Sequence, residues 1–247
     1  MPKPTDIVLA TGERFAILYE DRSVLAIDKP RDWMLVPSSW QNTGRNLQAA
    51  LLSSIAAGDF WARSRGLKYL RFVHRLDAET TGVLLLAKSQ GALHTYSELF
   101  ESRKMEKLYL AVVHGAPRQA QWSCELKLAP DPQRRGRMKV DSGHGKAAKT
   151  TFRVLQKVGK TALIEAHPLT GRTHQIRLHL AKSGHPIVGD QLYGSPRANG
   201  PGLGLRAVGL AYLNPFTRQP VQIRAPLEQF VREYGFDAPD QHWIPVW

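Results

Sequence analysis

Short runs of β-branched and other apolar residues recur along this chain of 247 residues, and they outnumber its helical patterns. The run at residues 83–87 is continuous and bounded by polar residues, which predicts a buried strand. Strands are predicted over residues 15–19, 24–27, 83–87, 108–113, 122–128, 151–155, 162–166, 207–213 and 221–223. Apolar residues at helical spacing predict helices over residues 46–57, 171–182 and 227–234, and another that follows Ser89 as its N-cap. This pattern predicts an α+β fold, with helices packed on a mixed, largely antiparallel sheet.

The order of these segments predicts a simple domain organisation. We expect residues 1–12 to form a loosely attached tail and residues 13–247 to form a single domain, because no repeat or low-complexity tract interrupts them. The stretch 195–204 is rich in Gly and Pro, which is more typical of a loop than of a domain boundary.

The charge balance points to a polyanionic partner. Lysine and arginine total 34 against 21 acidic residues, which gives a net charge of +13 and a pI near 10.1. Such an excess favours nucleic acid, because each neutralised phosphate releases counterions, although a role in solubility alone is the alternative. No apolar run approaches the roughly 18 residues of a membrane span, and no secretory signal begins the sequence. The single cysteine, Cys124, excludes an internal disulfide, and we expect a cytoplasmic protein.

A dense basic stretch covers residues 134–149. Its basic residues are opposed only by Asp141, and three glycines interrupt it, which predicts a mobile basic loop or hairpin. Such a segment suits closure over nucleic acid, and a solvated surface loop is the alternative. The basic residues are Arg134, Arg135, Arg137, Lys139, Lys146 and Lys149.

The segment F-V-H-R-L-D-A-E-T-T-G-V-L-L-L-A-K-S, residues 72–89, carries the most informative carboxylate. Asp77 follows His74 and Arg75 in a short polar turn before the strand at 83–87. An ionised carboxylate beside an arginine suits nucleophilic chemistry near an anionic substrate. By composition alone, a turn former or a helix cap is the commoner role for such an aspartate.

Three motifs together resemble those of the RluA-type pseudouridine synthases. They are H-R-L-D-x-x-T-T-G with its apolar run ending in Ala-Lys, K-L-Y-L-A at 107–111, and T-G-R-T-H-Q-I-R-L-H-L-A-K-S-G-H-P-I-V-G-D-Q-L-Y-G at 170–194. The resemblance covers roughly residues 15–225 and implies the synthase catalytic fold, with a long mixed sheet and a central cleft. Family members often carry a small N-terminal RNA-binding (S4) domain, which we do not expect here because the first strand pair begins at Phe15.

The resemblance also implies roles for individual residues. Asp77 matches the catalytic aspartate, Tyr109 the tyrosine that stacks on the target uracil, and Arg177 the basic partner of the aspartate. Arg75 matches the arginine that fills the gap left by the flipped base. Further RNA contacts are expected from Arg134, Arg135, Arg137, Lys139, Lys146, Arg172 and His174.

The implied function is isomerisation of specific uridines to pseudouridine in structured RNA, either ribosomal or transfer RNA, by a monomer without cofactor or metal. One alternative is an RNA-binding protein of the same fold that has lost catalysis. Another is a magnesium-dependent nuclease using Asp77 and Glu79, which the scarcity of acidic residues in the motifs disfavours. The spacings of His174, His179 and His185 do not match a common zinc pattern.

The sequence departs from the family pattern in two places. Thr81 replaces the usual serine, which we expect to be tolerated. After Lys-Pro the family usually has a glycine and then a histidine, where this chain has Asp32 and Val36, with Trp33 and Trp40 added nearby. If this segment lines the substrate cleft, the choice of target differs from that of familiar members.

Overall fold

The computed structural model describes residues 2–35, 45–194 and 200–239. Val36 and Trp40, and the first half of the stretch 195–204, therefore lie outside the described residues. The strands are β1 (Asp6–Val8), β2 (Arg14–Glu20), β3 (Val24–Lys29), β4 (Arg71–Phe72), β5 (Thr81–Ala87), β6 (Glu106–His114), β7 (Gln121–Pro130), β8 (Met138–Val140), β9 (Lys146–Val158), β10 (Thr161–Pro168), β11 (Leu205–Leu213) and β12 (Pro220–Arg224). The helices are α1 (Leu47–Ala56), α2 (Phe60–Arg63), α3 (Gln90–Glu101), α4 (Gln175–Lys182) and α5 (Glu228–Glu233).

The chain forms two compact units, each built from two separate segments. Unit 1 comprises residues 1–105 and 212–225, and unit 2 comprises residues 106–211 and 226–247. The sequence predicts a single domain over residues 13–247, whereas the packing of the chain divides it into these two units. Every strand pairing described below is antiparallel, and an isolated parallel bridge joins Met34 to Asn46. The fold is α+β with a mixed, largely antiparallel sheet, as the sequence predicts.

In unit 1, the sheet order is β1-β2-β3-β5, and β4 pairs with β5. The β2–β3 hairpin confirms the prediction for residues 15–27, and Asp21 closes its turn by accepting the N–H groups of Ser23 and Val24. The apolar run Val83–Ala87 of β5 is buried throughout. Asn46 caps α1 and Ser89 caps α3, each through a side-chain oxygen that accepts a backbone N–H.

The N-terminal segment differs from its prediction. Asp6–Val8 form β1 against β2, Ile7 is fully buried, and Arg65 Nη2 donates to Pro4 O at 2.6 Å. Because Ile7 and Leu9 are both buried apolar residues, this segment is part of the packed structure and not a loose tail.

In unit 2, the sheet order is β11-β6-β10-β9-β7-β8. Its two faces bury different clusters. One face includes Ala111, Ile164 and Ala166 and packs against Ile176 and Leu180 of α4. The other face includes Leu110 and Leu163 and packs against Phe230 and Val231 of α5. The basic stretch 134–149 is largely ordered in this sheet, because β8 and the start of β9 both pair with β7.

Helix α4 begins four residues later than the sequence predicts. His174, directly before it, has a left-handed backbone with φ 52°, which cannot continue a right-handed helix. Gln175 holds the preceding loop in place by accepting hydrogen bonds from Thr170 Oγ1 and Arg172 N. The segment 171–174 therefore forms a structured loop that leads into α4.

Candidate active site

The turn that carries Asp77 connects β4 to β5 in unit 1. Val73 and Leu76 are buried and anchor the turn, whereas Arg75 is exposed and Asp77 is half-buried. Thr80 N donates to Asp77 O at 3.2 Å, which closes the turn. Gly82 follows with φ 108°, a conformation that side chains rarely adopt, so the glycine of the T-T-G motif is required by the backbone. This arrangement presents a carboxylate and a guanidinium from one rigid turn.

Lys29, the last residue of β3, forms hydrogen bonds with the backbone of this turn. Its ammonium is fully buried and donates to Ala78 O at 2.7 Å, Thr80 O at 2.9 Å and Pro30 O at 3.0 Å. Burial lowers the pKa of Lys29 to about 8, although the carboxylates of Glu79, Asp77 and Asp32 act in the opposite direction. The buried ammonium thus holds the backbone of the Asp77 turn in place. In the sequence Lys29 stands out only as part of the Lys-Pro pair, which does not indicate this role.

His74, three residues before Asp77, is fixed from two sides. Leu85 N donates to His74 Nε2 at 3.0 Å, and the imidazole stacks on Phe100 of α3 with ring centroids 4.6 Å apart. Because Nε2 accepts a backbone N–H, the neutral ring carries its proton on Nδ1. His74 therefore fastens the segment before the turn to β5 and α3.

The segment after Lys29-Pro30 explains one departure from the family pattern. Asp32 has a left-handed backbone with φ 64°, and its N–H donates to Ala78 O at 2.9 Å in the Asp77 turn. Glycine favours this conformation and aspartate tolerates it better than most residues. Trp33 is 5% exposed and contacts Phe15 edge to face at 5.1 Å, so it belongs to the core and does not line an open surface.

Tyr109 lies on β6 in unit 2, between the neighbours Ala166 of β10 and Ala207 of β11. It is partly buried and packs against the cluster that includes Ala111 and Ile176. Tyr109 therefore occupies the face of the sheet that α4 covers, the helix that carries Arg177.

Arg177 forms a buried ion pair that the sequence did not indicate. Its Nε and Nη2 donate to Asp190 Oδ2 at 2.9 Å and Oδ1 at 2.8 Å, and the side chains are 2% and 0% exposed. Burial alone would raise the pKa of Asp190, but Arg177 and the N–H groups of Leu192 and Tyr193 lower it below its ordinary value. Asp190 thus orients the guanidinium expected to partner the catalytic aspartate.

Tyr193 and His174 lie beside this ion pair. His174 Nδ1 and Tyr193 Oη are 2.9 Å apart, and Met138 N donates to Tyr193 Oη at 2.8 Å. The guanidinium carbons of Arg137 and Arg177 lie 5.2 Å and 5.6 Å from the centre of the Tyr193 ring. The sequence offered only the spacing G-D-x-x-Y-G as an indication of this cluster.

The remaining basic candidates surround the β7–β8 hairpin and the start of β9. Arg134, Arg135, Lys139 and Lys146 are exposed. Arg172 is exposed and donates from Nε to Ala147 O at 3.3 Å, which holds the loop before α4 near the start of β9. Leu178 of α4 packs with Leu128 and Ala148 beneath this basic surface. The predicted RNA-binding residues of unit 2 therefore share one region, whereas Asp77 and Arg75 belong to unit 1.

The three histidines considered for zinc have separate partners. His179 is buried and its Nδ1 lies 3.0 Å from Thr150 Oγ1, with burial lowering its pKa to about 4. His185 Nδ1 lies 3.3 Å from His114 O. Among residues 2–35, 45–194 and 200–239, no group of three or more His, Cys, Asp or Glu side chains is placed to hold a metal ion. Within the same ranges, no helix is both long and apolar enough to cross a bilayer.

Comparison with known proteins decides the family. The model of the RNA pseudouridylate synthase family matches residues 23–182, which include the Asp77 turn, Tyr109 and Arg177. This chain is a member of that family. Family members are isomerases that act on uridine in RNA, and the three motifs fall on the turn, strand and helix just described.

Curated relatives of this synthase cover most of its length. An uncharacterised RNA pseudouridine synthase from Synechocystis is 34% identical over 230 residues, 91% of this chain and 68% of the relative. The ribosomal large subunit pseudouridine synthase C of Vibrio vulnificus is 34% identical, covering 85% of this chain and 65% of the relative. That of Escherichia coli K12 is also 34% identical, covering 86% and 66%. The chain thus spans about two thirds of the length of these relatives.

Solved structures agree on the fold. Human RNA pseudouridylate synthase domain containing 4 superposes with a TM-score of 0.72 at 24% identity, covering 91% of this chain and 94% of that one. Human RNA pseudouridylate synthase domain containing 1 gives 0.69 at 24% identity, covering 92% and 97%. The synthase fold expected from the motifs is therefore confirmed.

Proposed function

We propose that this synthase isomerises specific uridines of structured RNA to pseudouridine, with Asp77 as the catalytic carboxylate. The observation that carries the proposal is the Asp77 turn, in which a half-buried carboxylate follows the exposed Arg75. The buried Lys29 ammonium holds the backbone of this turn through the carbonyls of Ala78 and Thr80. Both ribosomal and transfer RNA fit as substrates. The names of the Vibrio and Escherichia relatives, which refer to the large ribosomal subunit, favour ribosomal RNA.

The reaction rearranges bonds within one nucleotide. The bond from C1′ of the ribose to N1 of uracil breaks, the base turns, and a bond from C1′ to C5 forms. The proton on C5 is released and N1 takes up a proton. Atoms and electrons balance within the nucleotide, so the reaction consumes no oxidant, reductant or co-substrate. Asp77 acts in its ionised form, either by adding to the nucleotide or by removing a sugar proton.

Three further residues complete the proposed chemistry. Tyr109 offers an aromatic face for the uracil and a hydroxyl that suits proton transfer at C5. Arg177 keeps its charge at every accessible pH and serves as the cationic partner of the site. Arg75, exposed on the Asp77 turn, fills the space that the flipped base leaves in the RNA. The basic residues around the β7–β8 hairpin, with Arg172 and His174, bind the backbone.

Release of tritium from uracil C5 tests the reaction. Purified protein without added cofactor or metal should release label from [5-³H]uridine-containing ribosomal or transfer RNA, because C5 exchanges its proton for a carbon bond. Each RNA pool is assayed separately, so that the assay also identifies the substrate class. No release above the background without enzyme from either pool would reject the proposal.

Asp77→Asn tests the catalytic residue. We expect turnover to be lost while RNA affinity changes by less than about tenfold, or roughly 1.4 kcal/mol, because binding depends on phosphate contacts spread over the basic surface. Glu79→Gln is the matched control, since it removes a carboxylate from the same turn. An Asp77→Asn protein that still isomerises uridine at a good fraction of the wild-type rate would remove Asp77 from this role. Binding without turnover by the wild type would favour the alternative of an inactive RNA-binding protein.

A further inference from the structure

Tyr193 joins the basic hairpin to the start of α4 through its hydroxyl. The oxygen accepts the N–H of Met138, the first residue of β8, at 2.8 Å. The same oxygen lies 2.9 Å from His174 Nδ1, so the tyrosine hydroxyl and the imidazole share a hydrogen bond. One hydroxyl thus connects the strand that follows Arg137 to the residue that immediately precedes α4.

The ring of Tyr193 also contacts two guanidinium groups that differ in exposure. Arg177 is 2% exposed and is held by Asp190, whereas Arg137 lies in the turn before β8 and is partly exposed. Both guanidinium carbons lie within 6 Å of the ring centre, a distance at which a cation is attracted to an aromatic face. A guanidinium that stacks by its face keeps its N–H edge for a phosphate. Arg137 therefore differs from its more exposed neighbour Arg134.

The backbone conformation of His174 depends on contacts with its surroundings. Its left-handed backbone, φ 52°, is strained for a residue with a side chain, and strain of this kind persists only where the surroundings enforce it. Tyr193 Oη holds the imidazole, and the backbone N–H of Tyr193 donates to Asp190 Oδ1 at 3.1 Å. The same tyrosine therefore contacts His174, Asp190 and the ring-facing side of Arg177.

We propose that Arg137 binds an RNA backbone phosphate and that Tyr193 is a positioning residue, through which RNA bound at the hairpin orders His174 and Arg177 for the reaction. This inference depends on the proposed function, since it concerns how substrate binding supports uridine isomerisation. It assigns to Arg137 an effect on turnover in addition to its effect on binding, through its contact with the Tyr193 ring.

A double-mutant cycle in rate tests the coupling. The variants are Arg137→Gln, Tyr193→Phe and their combination, with Arg134→Gln as the matched control because it removes an exposed charge from the same turn. Tyr193→Phe keeps the ring and removes only the hydroxyl. Tyr234→Phe is its control, since Tyr234 Oη donates to Gly202 O at 3.0 Å elsewhere in unit 2. Single-turnover rates are measured at saturating RNA, and dissociation constants are measured separately as a function of salt.

The expected results separate binding from positioning. Arg134→Gln should weaken binding and reduce the log–log salt slope by about 0.7 to 0.9, and its saturated rate is the reference for the loss of one exposed charge from this turn. Arg137→Gln should weaken binding to a similar extent and also have a saturated rate about tenfold below that of Arg134→Gln. Tyr193→Phe should lower that rate about tenfold with little change in affinity, and the double variant should be no slower than the slower single variant. Tyr234→Phe should leave the rate unchanged.

Three outcomes would overturn the inference. They are a saturated rate for Arg137→Gln equal to that of Arg134→Gln, strictly multiplicative rate effects in the cycle, and a Tyr193→Phe rate equal to that of Tyr234→Phe. Each variant is checked for folding by thermal unfolding. The cycle is interpreted only against a wild type that releases tritium and an Asp77→Asn variant that does not, so failure of the proposed function is recognised separately.

Discussion

At the scale of single residues, two buried charges hold the segments that surround the candidate site residues. Lys29 and Arg177 are both almost inaccessible to water, and each is compensated differently. Lys29 donates to three backbone carbonyls around the Asp77 turn, and Arg177 forms a bidentate pair with Asp190. Removing one partner of such an arrangement leaves an uncompensated polar group, which typically costs about 3–5 kcal/mol for a buried ion pair. Both cations therefore stabilise the fold and position the site.

Lys29 should give the stability a distinctive pH dependence. Its folded pKa of about 8 lies below the value of about 10.4 expected for an unfolded chain, so the unfolded state binds more protons between these pH values. The free energy of unfolding should consequently rise with pH across this window, by about 3 kcal/mol at most from this group. Urea denaturation from pH 7 to 10.5 measures it.

Lys29→Met should abolish that rise and lower stability at pH 7, because the carbonyls of Ala78 and Thr80 lose their donor. Lys88→Met is the control, since Lys88 pairs with Glu20 at 2.6 Å and lies elsewhere in unit 1. The same rise in Lys29→Met as in the wild type would show that another group produces it.

At the scale of elements, the apolar patterns predict where strands and helices lie, and local contacts decide where they begin. The strand at 83–87, the hairpin at 15–27 and the Ser89 cap are recognisable because they depend on neighbouring residues alone. The start of α4 is not recognisable from the sequence, because it depends on hydrogen bonds that Gln175 donates to Thr150 Oγ1 and to the carbonyl of Lys149 on β9. Short elements such as β1, β4 and β8 were missed for the same reason.

The same distinction between features set by neighbouring residues and features set by distant contacts applies to the candidate site. Asp77, Tyr109 and Arg177 were identified from motifs, and their roles stay predictions until the variants are assayed. Lys29 and Asp190 could not be identified, because their importance comes from burial and from partners distant in sequence. Tyr193 could not be identified either, since nothing near it in sequence indicates the approach of Arg137.

The loop between Ile187 and Tyr193 offers a direct test of local geometry. Gly189 has φ 78°, and a Cβ there would lie 1.8 Å from Gly202 O. Gly189→Ala should therefore displace the backbone that carries Asp190 and lower the free energy of unfolding by more than about 2 kcal/mol.

Gly184→Ala is the matched control for Gly189→Ala. Gly184 has a similar φ of 83° but no atom within 4 Å of the added Cβ, so only the strain of about 1 kcal/mol applies. Thermal unfolding of both variants gives the comparison. Equal losses would mean that the close approach to Gly202 contributes nothing.

At the scale of the whole molecule, a cluster of exposed basic residues, Arg134, Arg135, Lys139 and Lys146, lies on the β7–β8 hairpin and the start of β9. The net charge of +13 favours phosphate binding in general, and the hairpin concentrates part of it. Changing Arg134, Arg135, Arg137 and Lys139 to Ala should weaken RNA binding and lower the log–log salt slope by about 0.7 to 0.9 for each lost contact.

A second quadruple variant with the same loss of charge shows whether RNA binding depends on the position of the basic residues or on net charge alone. It changes four exposed basic residues of unit 2 outside the hairpin, namely Arg118, Lys157, Lys160 and Lys182, to Ala. We expect this variant to keep a slope close to that of the wild type. Equal slopes for the two quadruple variants would assign binding to net charge and not to the hairpin.

The division of each unit between two chain segments has a consequence for synthesis on the ribosome. Unit 1 is begun by residues 1–105 but includes residues 212–225, so its last strand, β12, emerges about a hundred residues after the rest. At about 5–20 residues per second, this delay lasts roughly 5–20 s. During that time unit 1 lacks residues 212–225, because residues 106–211 of unit 2 are translated first. Nascent chains stalled before residue 212 should therefore be more sensitive to protease in unit 1 than chains stalled well after residue 225.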